Sequence, residues 1–242
     1  MVTDESKTNQ SNWTDFIPYR ENVLVSNLEI FKNHLVINER KDGMTQVRVM
    51  PWSDQGNSHY VDFGEDVFMA STSTNPEFDT DEVRLFFSSL TTPSTTYDYN
   101  MNTKTLDLKK QQEVIGDFDA TQYKSERIMV TARDGASVPV SIVYKNGYKK
   151  DGSQPLLLYG YGSYGSSMDP YFSSTRLSLL DRGFAFAIAH IRGGQEMGRQ
   201  WYEDGKLLKK KNTFTDFIDC GKYLTDEKYG AKDQLLQDGM DM

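Results

Sequence analysis

Serine, histidine and tyrosine are the residue types in this sequence that could carry out acyl transfer. A serine nucleophile on an open α/β sheet stands in a Gly-x-Ser-x-Gly turn, because the tight turn has no room for larger side chains. The sequence contains no such turn: Gly135–Pro139 ends in proline, and Ser163 has its glycines in the wrong phase. Of the three histidines only His190 lies near a glycine-rich stretch, and its place at the end of an apolar strand favours a packed, hydrogen-bonded role. The residues alone show no catalytic triad.

The stretch Leu156–Gly165 is the best candidate for a ligand site. Its leucines and Tyr159 predict a short buried strand. The glycines and tyrosines that follow allow a sharp turn that brings aromatic hydroxyls to a cleft. Open α/β sheets bind ligands at the carboxyl ends of such strands. Farther along, Arg192 in Arg-Gly-Gly could bind a carboxylate or phosphate, or could tie loops together, and the sequence leaves both roles open.

Three other residue types have structural explanations that outweigh chemical ones. Asp169 precedes Pro170, which is typical of a helix start with Asp as N-cap and Pro as the first helical residue. Cys220 falls on the apolar face of a predicted helix, which favours a core residue over a nucleophile. His34 and His59 have no partner at metal-ligand spacing. We therefore predict no metal and no cofactor.

The overall composition is that of a globular protein without a nucleic-acid or membrane partner. The 242 residues include 27 basic and 35 acidic side chains, for a net charge of −8. An acidic chain has little attraction for nucleic acid or an anionic membrane. One cysteine excludes an internal disulfide and suits a reducing compartment. The polar start and the absence of a run of about 18 apolar residues predict a cytoplasmic protein.

The first half of the chain is predicted to be antiparallel β-sheet after a polar lead over residues 1–19. Short apolar or alternating runs follow one another between turn residues such as Lys41-Asp-Gly43. Their spacing indicates a sandwich, a barrel or propeller blades, and residues 20–112 suffice for about two blades. The predicted strands are Val23–Phe31, Leu35–Arg40, Met44–Met50, Val67–Ala70, Val83–Leu90, Thr96–Tyr99 and Leu106–Leu108.

The second half, residues 113–242, is predicted to be α/β. A hairpin is expected across Arg133–Ala136, and buried strands and helices then alternate, which favours a parallel sheet covered on both faces. One helix is expected from Asp169-Pro170 to just before Gly183. A second, over Thr213–Leu224, has an apolar face of Phe214, Phe217, Ile218, Gly221 and Leu224. The predicted strands are Arg127–Ala132, Val138–Tyr144, Leu156–Tyr159 and Phe184–Ile191.

Several long motifs resemble, in the same order, those of the prolyl oligopeptidase family of serine peptidases. The resemblance starts at about residue 15 and covers nearly the whole chain. Its motifs are Leu90-Thr-Thr-Pro93, Tyr123-Lys-Ser-Glu-Arg127, Ala132-Arg-Asp-Gly135, Leu158-Tyr-Gly-Tyr-Gly-Ser-Tyr-Gly165, Ser178-Leu-Leu-Asp-Arg-Gly183, His190-Ile-Arg-Gly-Gly194 and Gln200-Trp-Tyr-Glu-Asp-Gly-Lys206.

This resemblance implies a fold and a set of site residues. Residues 20–112 are expected to form the terminal blades of a β-propeller, and residues 113–242 the N-terminal part of an α/β-hydrolase domain. Tyr161 matches the family's tyrosine that donates its hydroxyl to the oxyanion hole. Asp169 matches one of two acids associated with recognition of basic substrate residues, and Tyr171 replaces the second. Asp169, Tyr164 and Tyr171 are thus expected to bind short peptides that carry Arg or Lys.

The family's catalytic motif is not found where the resemblance would place it. A Gly-Gly-Ser-x-Gly-Gly turn should follow the helix over Thr213–Leu224, but residues 229–242 are Tyr-Gly-Ala-Lys-Asp-Gln-Leu-Leu-Gln-Asp-Gly-Met-Asp-Met. We therefore expect a truncated serine oligopeptidase without the triad Ser, Asp and His, inactive by itself. The alternative is a non-catalytic peptide-binding or interaction module. An esterase or lipase is disfavoured by the Tyr161 motif and by the absence of a His-Gly-Gly-Gly loop.

Overall fold

Two antiparallel sheets of four strands form the first half of the molecule. The structure is a computed structural model that describes residues 1–239. Strand order follows the chain in both sheets. The first contains β1 (Val23–Ile30), β2 (His34–Lys41), β3 (Met44–Pro51) and β4 (His59–Tyr60). The second contains β5 (Phe68–Thr72), β6 (Glu82–Ser89), β7 (Thr95–Asn100) and β8 (Thr105–Gln111). Propeller blades are four-stranded antiparallel sheets of this kind.

The two blades pack face to face through an apolar core. Val47, Val49 and Val83 are fully buried in it, and Phe63 stacks on Phe87 with ring centroids 4.7 Å apart. The predicted turn after β2 is present: Asp42 and Gly43 have φ of 51° and 79°. Two consecutive residues in the left-handed region match the twist of a two-residue hairpin, for which glycine is well suited.

A mixed five-stranded sheet and three α-helices form the described part of the second half, residues 113–239. The strands are β9 (Tyr123–Thr131), β10 (Ser137–Lys145), β11 (Leu156–Gly160), β12 (Ala185–Ala189) and β13 (Leu235–Asp238). The helices are α1 (Ser174–Leu180), α2 (Arg199–Glu203) and α3 (Lys211–Asp226). Four short 3₁₀ turns lie at Gln10–Asn12, Gln55–Asn57, Ala120–Gln122 and Leu207–Lys209. The α/β part was expected to run to residue 242, and residues 240–242 lie outside the described residues.

The prediction of a parallel sheet is correct for only part of this sheet. The strand order is β13-β11-β12-β10-β9. β11 is parallel to β12 and β13, whereas β10 is antiparallel to both β12 and β9. β9 and β10 form the predicted hairpin, and a hairpin connection makes its two strands antiparallel. Apolar content showed that the strands are buried but could not show their direction.

Helix α3 packs on the sheet through a narrower stripe than expected. Phe217 and Leu224 are buried in the core, but Phe214 and Ile218 are 40% and 53% exposed. Phe217 lies directly over Gly160, where an added Cβ would stand 2.7 Å from the Phe217 ring. The glycine that ends β11 therefore lets the helix approach the sheet closely.

The blades and the α/β part share an apolar core as well as polar contacts. Val67 and Leu90 of the second blade are buried with Val143 and Leu180 of the α/β part. The Phe172 backbone N–H donates to the Ser88 hydroxyl at 3.1 Å. The loop that precedes α1 is thus held against the propeller blade.

We expect Phe217→Ala to lower the free energy of unfolding by about 3 kcal/mol, because it removes a buried ring and leaves a cavity over Gly160. Phe214→Ala is the matched control on the same helix, and it should cost less than about 1 kcal/mol since the ring is partly exposed. Urea-induced unfolding followed by circular dichroism measures both. Equal losses would contradict this packing of α3.

Candidate active site

The loops after β11 and β12 meet at the carboxyl end of the sheet. The Gly165 N–H donates to the Gly193 carbonyl at 2.9 Å. Gly193 has φ of 104°, and a Cβ there would stand 1.9 Å from the Gly162 carbonyl oxygen. Only glycine fits such a contact. The two glycine-rich motifs, far apart in sequence, therefore form one wall at the position where open α/β sheets hold ligands.

Arg192 ties this wall to the rest of the α/β part. Its guanidinium pairs with Asp216 of α3 at 2.5 Å and with Asp134 of the β9–β10 turn at 2.7 Å. The hydrogen bond with Asp216, opposed by burial, holds the pKa of Arg192 above its ordinary value. The Thr213 hydroxyl also donates to the Arg192 carbonyl at 2.7 Å. Of the two roles left open for Arg192, the structure shows the one that ties loops together.

Tyr161 stands directly after β11 and is partly buried. No group within residues 1–239 forms a hydrogen bond with its hydroxyl. Buried tyrosines differ in this respect: the hydroxyl of Tyr144, for example, donates to Glu126. Tyr164 is 86% exposed and has φ of 58°. It borders a cavity of about 310 Å³ together with Lys206 and Lys210.

Asp169 and Tyr171 border a second cavity of about 250 Å³, whose lining is mostly apolar. Asp169 is not the N-cap of a helix, as predicted, because α1 begins at Ser174 with Ser173 as N-cap. Its carboxylate instead accepts two hydrogen bonds from Arg40 of β2, at 2.5 and 3.0 Å. Tyr171 is 52% exposed at the rim of the same cavity. The predicted site residues are thus spread over the wall and two cavities.

Glu196 is a fully buried carboxyl group that sequence reasoning missed. Its Oε1 accepts the Met168 backbone N–H at 2.9 Å, and Oε2 has no partner within the described chain. Burial raises the pKa of Glu196 to about 8, and this rise exceeds the opposing effect of the Arg40 charge. Glu196 is therefore mostly neutral at pH 7. The one feature of the sequence that could have indicated Glu196 was its position four residues after Arg192 in a glycine-rich loop.

His190 forms the only serine–histidine hydrogen bond within residues 1–239. Its Nε2 lies 2.7 Å from the Ser141 hydroxyl, and both residues are completely buried. Burial lowers the pKa of His190 to about 3. Ser141 lies in the middle of β10, out of reach of a substrate. The prediction of a packed, hydrogen-bonded histidine is confirmed.

No metal centre or reactive thiol is found in the described part of the chain. Among residues 1–239, no three His, Cys, Asp or Glu side chains are grouped as a metal site would need. Cys220 is a buried free cysteine, and burial raises the pKa of its thiol. No helix within these residues is long and apolar enough to cross a membrane.

Comparison with known proteins identifies the class to which this fold and wall belong. Residues 1–112 match the N-terminal beta-propeller domain of prolyl oligopeptidase, and residues 170–240 match the prolyl oligopeptidase family. The chain is 47% identical over 240 residues to dipeptidyl aminopeptidase BI of Pseudoxanthomonas mexicana, with 99% of this chain and 33% of the relative covered. It is 38% identical over 229 residues to Protease 2 of Moraxella lacunata, with 95% and 33% covered.

Solved structures agree with these matches. Oligopeptidase B from Leishmania major superposes with a TM-score of 0.82 at 40% identity, covering 91% of this chain and 32% of that one. Oligopeptidase B from Trypanosoma brucei with bound antipain gives 0.85 at 37% identity, covering 96% and 34%. The chain belongs to the prolyl oligopeptidase family of serine peptidases. It spans about a third of the length of these relatives. The expected fold, propeller blades followed by the start of an α/β-hydrolase domain, is confirmed.

Glu196 should make stability depend on pH between about 5 and 8. Folding raises its pKa from 4.5 to about 8, so the folded state holds an extra proton in that window. The stabilisation is complete below pH 4.5 and is lost as pH rises through about 8. We expect the free energy of unfolding to fall by up to about 1.4 kcal/mol per pH unit relative to Glu196→Gln.

Denaturant unfolding at several pH values measures this difference. Glu203→Gln is the matched control, since that carboxylate lies on the surface in contact with Arg199 and Lys206. Its profile should run parallel to that of the unsubstituted chain from pH 5 to 8. Parallel profiles for Glu196→Gln as well would contradict a neutral Glu196.

Proposed function

We propose that this chain supplies the oxyanion wall and part of the substrate cleft of a serine-type oligopeptidase that hydrolyses short peptides after basic residues. The observation that carries the proposal is the position of Tyr161. Tyr161 directly follows the carboxyl end of β11, two residues after Tyr159 of the family motif, and its hydroxyl has no hydrogen-bond partner among residues 1–239. A hydroxyl of this kind can donate to an oxyanion without first breaking a hydrogen bond to another described residue.

The chemistry follows that of serine peptidases in general. A serine hydroxyl attacks the peptide carbonyl while a histidine accepts its proton, and the carbonyl oxygen becomes an alkoxide. The Tyr161 hydroxyl would donate a hydrogen bond to that alkoxide. The histidine then passes the proton to the leaving amine, and water releases the acyl group. We assign the serine, histidine and aspartate of the triad to residues outside this chain, because the only Ser–His pair within residues 1–239 is buried.

Asp169, Tyr164 and Tyr171 are proposed as substrate-binding residues. The cavity of about 250 Å³ beside Asp169 is lined by apolar side chains such as Leu157 and Ile188. An Arg or Lys side chain has an apolar stem and a charged end, so it fits an apolar cavity with a carboxylate at one side. The tyrosines at the rims of the two cavities offer aromatic surface to a peptide backbone.

A non-catalytic peptide-binding module is the second candidate. The burial of Ser141 and His190 favours it for the chain taken by itself, since the described residues offer cavities but no accessible serine that is hydrogen-bonded to a histidine. Both candidates predict peptide binding. They differ in whether the wall supports hydrolysis when a triad is supplied.

The 242-residue chain alone should hydrolyse no peptide. We expect no cleavage of fluorogenic Arg- and Lys-containing peptides and no labelling by a fluorophosphonate probe, because no exposed serine among residues 1–239 is hydrogen-bonded to a histidine that could act as its base. Mass spectrometry after incubation with the probe measures labelling. Stoichiometric modification of one serine would contradict the assignment of the triad to residues outside this chain.

A chimera can test the role of Tyr161 directly. Residues 1–239 would replace the matching stretch of dipeptidyl aminopeptidase BI, the relative that is 47% identical, so that the relative supplies the rest of the propeller and of the hydrolase domain. In an active chimera, Tyr161→Phe should lower kcat about 100-fold with little change in KM, since the lost hydrogen bond forms only in the transition state.

Tyr19→Phe is the control in that chimera, and it should leave kcat within about twofold, because Tyr19 is 79% exposed and lines neither of the two cavities. Steady-state kinetics on one fluorogenic peptide separates kcat from KM. A folded chimera that lacks peptidase activity, or an unchanged kcat for Tyr161→Phe, would count against the proposed function.

A further inference from the structure

Arg40 is bound to the carboxylate of Asp169, the group that the proposed function assigns to substrate binding. Arg40 lies in β2 of the first blade, and Asp169 lies in the loop that precedes α1 of the α/β part. The two Asp169 oxygens accept from Nη1 and Nη2 of Arg40 at 2.5 and 3.0 Å. The two side chains are only 12% and 18% exposed. A bidentate pair with this little exposure is among the stronger protein ion pairs.

The charge of Asp169 is therefore already balanced. Glu196, the other carboxyl group near Arg40, is buried and has its pKa raised to about 8, so it adds little negative charge at pH 7. Glu39, next to Arg40 in β2, is engaged by Arg20 and Arg48. No other carboxylate of residues 1–239 forms an ion pair with Arg40.

The cavity next to Asp169 also contains an unpaired cation. Arg176 of α1 is 8% exposed and lines this cavity. Its Nη1 donates to the Tyr171 carbonyl at 2.8 Å, and its guanidinium stacks over the Phe186 ring at 4.1 Å. Within residues 1–239 it has no carboxylate partner. A basic ligand entering this cavity therefore meets one carboxylate, already paired, and one more guanidinium.

A ligand and Arg40 would approach Asp169 from different sides. Asp169 lines the cavity of the α/β part, and Arg40 does not. Arg40 reaches the carboxylate from the blade. A carboxylate can accept up to about four hydrogen bonds, but two guanidinium groups on one carboxylate leave an unbalanced positive charge in a poorly hydrated place, which is costly.

We infer that Arg40 is an internal competitor for Asp169 and determines how strongly this site selects basic residues. The inference rests on the proposed role of Asp169 in substrate binding. Arg40 is held by the propeller part and imitates a substrate arginine. Selection for Arg or Lys is weak while the pair is intact, and it becomes strong when Arg40 is removed or drawn away with its blade.

Peptide binding to the 242-residue chain tests this inference. Two fluorescein-labelled tetrapeptide amides that differ only in Arg or norleucine at one position are titrated, and fluorescence anisotropy gives Kd. Arg40→Gln should tighten binding of the Arg peptide about tenfold, the factor that corresponds to one charge-assisted hydrogen bond. Binding of the norleucine peptide should change less than about twofold. Asp169→Asn added to Arg40→Gln should abolish the gain.

Arg20→Gln is the matched control. It removes one positive charge from the same region without touching Asp169, since Arg20 pairs with Glu39. It should leave both Kd values within about twofold. A gain for the Arg peptide that is equal in Arg20→Gln and Arg40→Gln would overturn the inference, because net charge alone would then explain it.

The outcomes separate this inference from the proposed function. One outcome is that the unsubstituted chain prefers the Arg peptide, that Asp169→Asn abolishes this preference, and that Arg40→Gln does not increase it. In that case Asp169 binds basic residues, and the competitor role of Arg40 is wrong. If no variant shows a preference that depends on Asp169, both are wrong. Should Arg40→Gln fail to fold, Arg40→Lys is the second variant, since it keeps the charge but loses the bidentate contact. It should tighten binding of the Arg peptide about threefold. An unchanged Kd would again overturn the inference.

Discussion

The buried pair of Arg192 and Asp216 is the interaction on which the site depends. Arg192 is 8% exposed and the Asp216 carboxylate is completely buried. Loss of Arg192 would leave the buried Asp216 carboxylate without a charge partner, which costs about 3–5 kcal/mol. The pair joins the loop after β12 to α3, and the contact between Gly162 and Gly193 extends this rigidity to the loop after β11. The position of Tyr161 therefore depends on groups that never contact a substrate.

The contact between the blade and the α/β part places a second demand on the site. The shared core around Val67 and Leu90 and the hydrogen bond from Phe172 to Ser88 hold the loop before α1 against a blade. Asp169 lies in that loop, so its environment is partly made by the propeller. From the sequence, Asp169 was expected to be a carboxylate free to bind a substrate. In the structure it forms an ion pair between the two parts of the fold.

Local pattern was enough to predict most of the elements. Alternating apolar residues predicted seven of the eight blade strands, and Lys41-Asp-Gly43 predicted the turn between β2 and β3. β4, of two residues, and β13 near the end were missed because such short runs carry little periodicity. The predicted start of α1 was wrong. Asp169-Pro170 fits a helix cap locally, but the carboxylate of Asp169 is bound by Arg40, 129 residues away.

The sequence by itself determined the family, the order of blades and α/β elements, and the motif that holds Tyr161, since these depend on residues close together in the chain. Only the tertiary structure decided which charges meet. The pairing of Asp169 with Arg40, the burial that keeps Glu196 neutral and the engagement of His190 by Ser141 all join distant segments. Burial and pairing set the charge state of a group, and neither can be read from its neighbours in sequence.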